Sequence, residues 1–136
     1  MPYKFNPFTG DLDVVSGSGE SPTPSSSLAW STITTATHTV VASNGYFANR
    51  PEGAVAFTLP ATAKLGDTFV IVAQHANGFT LAQNALQYIK IADATTTIGV
   101  AGSIASSKTG DVIKVVCCEE NIGFLVISSM GNLTVV

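Results

Sequence analysis

The sequence from Trp30 onward consists of short apolar runs separated by glycine-containing turn signals. In residues 55–59 and 88–91 apolar positions alternate with small or polar ones, which is the period of a β-strand with one buried face. Turn-forming pairs that contain glycine separate such runs: Asn44-Gly45, Gly66-Asp67, Asn77-Gly78, Gly110-Asp111 and Gly131-Asn132. No apolar stripe of helical period is long enough for a helix. The pattern predicts an all-β fold, with a compact β-sandwich or barrel-like head.

Three of the predicted strands, at residues 68–72, 112–118 and 124–127, are apolar on both faces. A domain of this size has one hydrophobic core, so one face of such a strand packs against that core. The other face then packs against a second sheet or against a neighbouring subunit. From this pattern we expect a subunit interface that contains Phe69, Ile71, Phe124 and Val126.

Residues 65–72 resemble residues 109–116. In both segments a Gly-Asp pair leads into a β-branched strand, and a strand that contains phenylalanine follows. Two copies are weak support for a repeat architecture, so the likeness indicates at most two related β-modules.

A linker divides the chain near residue 30. Residues 16–27 are mostly small and polar and include two prolines, a composition that cannot bury a core and that favours an extended chain. Before the linker, residues 5–11 contain turn signals between apolar residues. We therefore interpret residues 1–30 as an extended docking arm with its linker, and residues 31–136 as the head.

The arm is too short to form a core of its own, yet it carries large apolar side chains. Aromatic anchors of this kind favour interfaces, so we expect them to insert into another subunit or protein. The alternative is that the arm folds back over its own head as one more strand. The expected docking residues are Tyr3, Phe5, Phe8, Leu12 and Val14.

The low content of charged residues indicates that the protein is an oligomer. Only 11% of the residues are charged, whereas typical soluble domains contain about a quarter. A small monomer has much surface to cover, so the shortage of charge favours an obligate oligomer that buries surface between subunits. The alternative is a monomer covered by the plentiful Ser, Thr, Asn and Gln.

Charge and hydropathy also exclude two classes of partner. The net charge is −3 and the six basic residues are dispersed, so no basic patch is present for nucleic acid. No run of about 18 apolar residues is present to span a membrane. The N-terminus lacks the apolar stretch of a secretory signal, so we expect synthesis in a cytoplasm.

The sequence contains no arrangement typical of catalysis or metal binding. His38 and His75 are the only imidazoles, and neither lies in a motif with a nucleophile or a second metal ligand. Cys117 and Cys118 are adjacent, which suits a disulfide poorly, and we interpret them as two small buried apolar residues. We expect a protein that is not an enzyme and that holds no metal or cofactor.

Two parts of the chain resemble structural proteins of tailed bacteriophages. Residues 3–13, Tyr-Lys-Phe-Asn-Pro-Phe-Thr-Gly-Asp-Leu-Asp, are similar to an N-terminal signature of many virion proteins, which is also followed by a Ser/Gly/Pro linker. The head resembles the β-domains of phage tail fibres and decoration proteins at residues 57–63, 65–67, 77–85 and 128–136. Proteins of this kind commonly form trimers.

The resemblance implies a virion role, and the chain length favours a capsid decoration (cement) protein over a fibre, which needs a long shaft. Made in the host cytoplasm, its trimers would lie on the capsid surface. Each arm would clamp neighbouring capsomers of the major capsid protein and so stabilise the head. The alternative is a short tail-fibre or tail-adaptor subunit whose head binds a host surface glycan. The sugar platform would then be formed by Trp30, Tyr46, Phe47 or Tyr88, but packing of these aromatics in the core or in an interface is the favoured interpretation.

Overall fold

A computed structural model describes residues 3–5, 12–14 and 28–136. The first two segments are the strands β1 (Tyr3–Phe5) and β2 (Leu12–Val14), which pair as an antiparallel hairpin. Tyr3 is opposite Val14, and Phe5 is opposite Leu12. Because successive strand positions alternate between faces, positions 3, 5, 12 and 14 share one face of the hairpin, and positions 4 and 13 share the other.

Twelve further strands form the head, and the described residues contain no helix. The prediction of an all-β fold is confirmed. The strands of the head are β3 (Ala29–Ile33), β4 (Thr37–Thr39), β5 (Asn44–Ala48), β6 (Val55–Thr58), β7 (Thr68–Ala73), β8 (Phe79–Ala82), β9 (Tyr88–Ile91), β10 (Ala94–Thr95), β11 (Ser103–Ser106), β12 (Val112–Glu119), β13 (Gly123–Met130) and β14 (Leu133–Val135).

These strands form two mixed sheets that enclose one core. The larger sheet has seven strands in the order β10-β9-β13-β12-β7-β5-β3, and the smaller has five in the order β14-β11-β8-β6-β4. Both sheets contribute alternate apolar residues to the core between them. Since the two sheets share no strand, the head is a sandwich rather than a barrel.

From β3 to β8 the chain passes alternately between the two sheets. Successive strands of one sheet therefore run parallel: β3, β5 and β7 in the larger sheet, and β4, β6 and β8 in the smaller. The chain thus winds through three turns of a flattened β-helix. After β8 the direction changes, because β11 joins β8, and β12 joins β7, in antiparallel register.

One of the five predicted turns lies within a strand. Asn44 and Gly45 begin β5, and the turn lies just before them, at Ser43, whose φ of 65° is left-handed. The other four turns are present, and each has a glycine with a φ between 68° and 97°: Gly66, Gly78, Gly110 and Gly131. Glycine adopts such angles without strain because it lacks a Cβ atom.

The core contains the four residues that the sequence pattern places in a subunit interface. Phe69, Ile71, Phe124 and Val126 are 2%, 0%, 1% and 8% exposed, and they pack between the two sheets of one chain. The sequence shows two apolar faces on these strands, but it does not show which of them points inward. Any subunit contact through these strands must therefore be made by the residues that alternate with these four along the strands and point to the outer side of the sheet.

Aromatic rings fill the core beneath the parallel strands. Tyr46 packs against His38 and Phe57, at ring-centroid distances of 4.9 and 5.4 Å. Phe57 in turn meets Phe79 edge-on at 6.3 Å. The hydroxyl of Tyr46 accepts a hydrogen bond from the N–H of Val41 at 2.8 Å, and burial raises the pKa of Tyr46. The ring cluster thus joins all three turns of the β-helix.

A buried amide holds three loops together. Gln87 is 2% exposed, and its Nε2 donates to the C=O of Pro60 at 2.9 Å and of Asn121 at 3.2 Å. Its Oε1 accepts from the N–H of Asn84 at 2.8 Å. The side chain of Gln83 donates to the C=O of Gln87 at 2.6 Å. These contacts fix loops that strand pairing does not hold.

The two similar Gly-Asp segments occupy matching positions. They lead into β7 and β12, which are antiparallel neighbours. The N–H of Gly66 donates to the C=O of Cys117 at 2.9 Å, and the N–H of Gly110 donates to the C=O of Ala73 at 2.8 Å. Each turn is therefore bonded to the far end of the other strand. The likeness in sequence reflects a local two-fold relation.

Candidate functional site

The outer face of the seven-stranded sheet carries large apolar side chains on five strands. The register aligns Phe47, Val72 and Val112 in one row and Val116 with Leu125 in another. Trp30 and Val70 lie in the row between them. We call this set the apolar face: Trp30, Phe47, Val70, Val72, Val112, Val116 and Leu125.

Trp30 lies at the border of the apolar face in a defined position. Its ring stacks on Phe47, with centroids 4.8 Å apart and planes inclined by 28°. Beneath it is Gly45, where a Cβ atom would lie 2.6 Å from the indole carbons, closer than carbon atoms approach. The indole thus covers bare backbone, while 47% of Trp30 stays exposed. Exposed tryptophan within an apolar patch is typical of interfaces.

Replacing Gly45 by alanine is expected to displace the indole of Trp30 and to leave the core intact, because the added methyl group points outward. Trp30 is the single tryptophan, so its emission should move to longer wavelength as the ring enters water. The Tm should change by no more than a few degrees. A Gly53→Ala variant, whose Cβ would meet only the Arg50 side chain, is the control. Identical emission from both variants would contradict the position assigned to Trp30.

Charged side chains are nearly absent from the sheets. In residues 28–136, only Lys90, Lys114 and Glu119 lie on strands. Lys114 interrupts the apolar face between Val70 and Ser128, where its stem can cover apolar surface while the ammonium group reaches water. The strands of both sheets therefore carry few of the charged residues of the head.

The outer face of the five-stranded sheet has no charged residue on its strands, but its side chains are small. One row crosses all five strands and consists of Thr37, Ala56, Thr80, Ala105 and Thr134. Small side chains offer little apolar area for association. Of the two outer faces, that of the seven-stranded sheet is the better candidate for a subunit contact.

The hairpin contains four of the five residues predicted to dock the arm. Tyr3, Phe5, Leu12 and Val14 occupy positions on one of its faces, and Phe8 lies outside the described residues. A two-stranded hairpin is marginally stable alone, so packing against another surface would stabilise it. The docking role stays a prediction.

The imidazoles and thiols make structural contacts. Nδ1 of His75 accepts a hydrogen bond from the N–H of Asn77 at 3.1 Å. Cys117 is buried as predicted, and burial raises the pKa of its thiol. Cys118 is exposed, contrary to the prediction, because neighbouring residues of β12 point to opposite faces. No group of three or more potential metal ligands occurs among the described residues.

An open cleft is lined by residues of two loops: Thr62, Ala63, Lys64, Asp67, Glu120 and Asn121. Two of its polar side chains already bind backbone. Oδ1 of Asn121 accepts from the N–H of Ala63 at 2.8 Å, and Oδ2 of Asp67 accepts from the N–H of Lys64 at 2.9 Å. These groups stabilise the loops rather than converge on a ligand.

The four aromatic residues considered as a sugar platform do not lie together. Tyr46 is 2% exposed and belongs to the core. Tyr88 lies on β9, and its hydroxyl donates to Oε1 of Glu119 at 3.2 Å. Burial and the negative charge of Glu119 raise the pKa of Tyr88. Trp30 and Phe47 are the pair that remains for such a platform.

No protein-family model matches the sequence, and no curated protein matches it. Among the described residues, no helix is long and apolar enough to cross a membrane.

Proposed function

We propose that this protein is a structural subunit of a tailed-bacteriophage virion, and specifically a capsid decoration protein. Three copies associate through their apolar faces. Each N-terminal hairpin docks on neighbouring capsomers of the major capsid protein, so that the trimer stabilises the capsid by binding and not by catalysis. The observation that carries this proposal is the apolar face.

The size of the apolar face suits the centre of a subunit interface. It covers five strands about 4.8 Å apart and three rows about 7 Å apart, or ~260 Å² in projection. A standard interface buries ~800 Å² of accessible surface on each partner, and a polar rim surrounds its apolar core. Thr32, Thr68 and Ser128 border the apolar face and would belong to such a rim.

Trimerisation would turn weak docking of single arms into firm attachment. One hairpin with four apolar positions contributes a modest affinity. Once one arm of a trimer is bound, the others bind at an effective concentration in the millimolar range, and the total affinity rises by ~10²–10⁴. The composition of residues 16–27, mostly small and polar with two prolines, predicts a linker through which each arm would reach a neighbouring capsomer.

A Val72→Lys variant tests the apolar face. Val72 lies on the central strand β7 between Phe47 and Val112, so a lysine there would add a second positive charge to that of Lys114 within the interface. We expect the variant to be folded and to have one third of the mass of the wild-type assembly, as measured by light scattering after size-exclusion chromatography. The matched control is Thr80→Lys, at an outward position of β8 in the opposite sheet, which should keep the wild-type mass.

Two outcomes would contradict the assignment of the interface. If the wild-type protein is monomeric at high concentration, it forms no subunit interface through the apolar face. A Val72→Lys variant that assembles like the Thr80→Lys control shows that the subunits meet elsewhere.

The site of attachment tests the virion role itself. Particles labelled through Cys118, which is exposed, should carry many copies over the head if the protein decorates the capsid. Label confined to the tail would favour the fibre role, and unlabelled particles would exclude both.

One observation favours the tail-fibre alternative, in which the head binds a host glycan. Trp30 stacks one side of its ring on Phe47 and is 47% exposed, and aromatic faces of this kind can pack against sugar rings. Host surface glycans should then quench Trp30 emission in the wild type and not in Gly45→Ala. In a capsid decoration trimer, by contrast, glycans should leave the emission unchanged.

A further inference from the structure

The first turn of the β-helix leaves both sheets with an open edge at the same end of the sandwich. β3 is the last strand of the seven-stranded sheet, and β4 is the last strand of the five-stranded sheet. Only residues 34–36 separate the two strands along the chain. Among the described residues, no strand pairs with the outer side of either one. The two open edges therefore lie side by side, one in each layer.

The hydrogen bonds of β3 show which of its backbone groups point outward. The N–H of Ala29 donates to the C=O of Ser43 at 3.1 Å, and the C=O of Ile33 accepts from the N–H of Asn49 at 3.0 Å. Bonding along a strand alternates between its two sides. The N–H and C=O groups of the residues at positions 30 and 32 therefore point away from β5.

The same alternation applies to β4. The N–H of Val40 donates to the C=O of Thr58 at 2.9 Å, so Thr37 and Thr39 point their backbone groups outward. The C=O of Thr37 already accepts a hydrogen bond from the hydroxyl of Thr35 at 2.9 Å. The open end thus presents the N–H groups of Trp30, Thr32, Thr37 and Thr39. It also presents the C=O groups of Trp30, Thr32 and Thr39. These groups form one line along β3 and one along β4.

This end lacks most of the features that keep edge strands from pairing. Exposed edges are commonly protected by charged side chains, by proline, by bulges or by short length. β3 has five residues, although β4 has only three, and the chain contains no charged residue and no proline from residue 28 to residue 49. At the opposite end of the seven-stranded sheet, β10 has two residues and follows Asp93. The end formed by β3 and β4 is therefore suited to a partner rather than to water.

We infer that this open end binds the same end of a second copy, with both edges of one chain paired to both edges of the other about a two-fold axis. A partner must offer two strands in two layers about 10 Å apart. One peptide covers a single edge, whereas a second copy covers both. A two-fold contact also closes on itself and adds no further copies. This contact uses outward backbone groups of β3 and β4, whereas the apolar face uses side chains on the outer side of the seven-stranded sheet, and it does not depend on the virion role.

Proline substitutions at outward positions test the contact. The double variant Thr37→Pro, Thr39→Pro on β4, in the sheet that does not carry the apolar face, removes two outward N–H groups and blocks the approach of a partner strand, but it breaks no hydrogen bond within the sheets. The control is Thr95→Pro on the edge strand β10, where the N–H of Thr96 donates to the C=O of Ile89 and Thr95 points outward. We expect the double variant to have half the mass of the wild-type assembly, and the control to have the full mass.

The masses also separate this inference from the trimer proposal. If both hold, the wild type is a hexamer and the double variant is a trimer. If the apolar face forms no contact, the wild type is a dimer and the double variant is a monomer. A double variant with the same mass as the wild type overturns the inference.

Amide hydrogen exchange on the wild type provides a test that needs no variant. The amides of Trp30, Thr32, Thr37 and Thr39 should be protected at high protein concentration and should exchange rapidly on dilution. Rapid exchange at every concentration overturns the inference. Protection that is independent of concentration also overturns it, because the edges are then covered by the chain itself.

Discussion

A Gln87→Leu variant is expected to have a free energy of unfolding about 2–4 kcal/mol below that of the wild type, since a polar group left without a partner costs about 1–3 kcal/mol when it is buried and less where it reaches water. Leucine fills a similar volume but leaves the C=O groups of Pro60 and Asn121 and the N–H of Asn84 without their partner. Urea denaturation should show a lower midpoint with an unchanged slope.

The matched control is Gln74→Leu, because Gln74 is exposed. Its stability should stay within about 0.5 kcal/mol of the wild type. A loss below about 1 kcal/mol for Gln87→Leu would show that water replaces the amide, and the loops would then be held mainly by their other contacts.

Replacing the apolar residues of the hairpin should reduce binding to capsids by at least ~100-fold, because the weakening of each arm is multiplied across the trimer. The variant is Phe5→Ser with Leu12→Ser, two residues that face each other across β1 and β2. The measurement is binding of purified protein to capsids that lack it. The head should keep its wild-type Tm and oligomeric mass.

The hairpin also offers the control for this experiment. Lys4 and Asp13 pair with each other on the opposite face, so Lys4→Ser with Asp13→Ser changes the same two strands and leaves the apolar positions intact. This control should bind within a few-fold of the wild type. Equal binding by both double variants would show that the apolar residues of the hairpin do not dock the arm.

The fold class followed from the sequence because alternation reports directly on burial. Val55 and Phe57 are both fully buried in β6, as their spacing predicts. The winding of the chain between the two sheets could not be predicted from the sequence. The apolar pattern of a strand shows which of its faces is buried, but it does not show which strands lie beside it. A turn signal between two strands fits a hairpin and a crossing between sheets equally well. Asn44 and Gly45 show this ambiguity, since they begin a strand that is parallel to its neighbours.

The sequence predicts an apolar sheet surface for contact with another subunit, but it does not predict which residues form that surface. β7 is apolar at every position from Phe69 to Val72, so the sequence does not show whether Phe69 or Val70 faces the core. The register with Tyr46 and the other strands decides it, and that information is distributed over the whole sheet. The role of Gly45 beneath Trp30 is likewise invisible in sequence, because it depends on the pairing of β3 with β5.

The position of β7 in its sheet affects how the chain folds while it is being made. Its neighbour β5 precedes it, but its other neighbour, β12, ends 46 residues after β7 does. At a synthesis rate of about 5–20 residues per second, β7 waits about 2–9 s on the ribosome with one edge unpaired. Three turns of β-helix can form during this interval, yet they have only part of the core. When several ribosomes translate one message, nascent chains wait side by side in this state, and pairing between their β7 edges then competes with the arrival of β12.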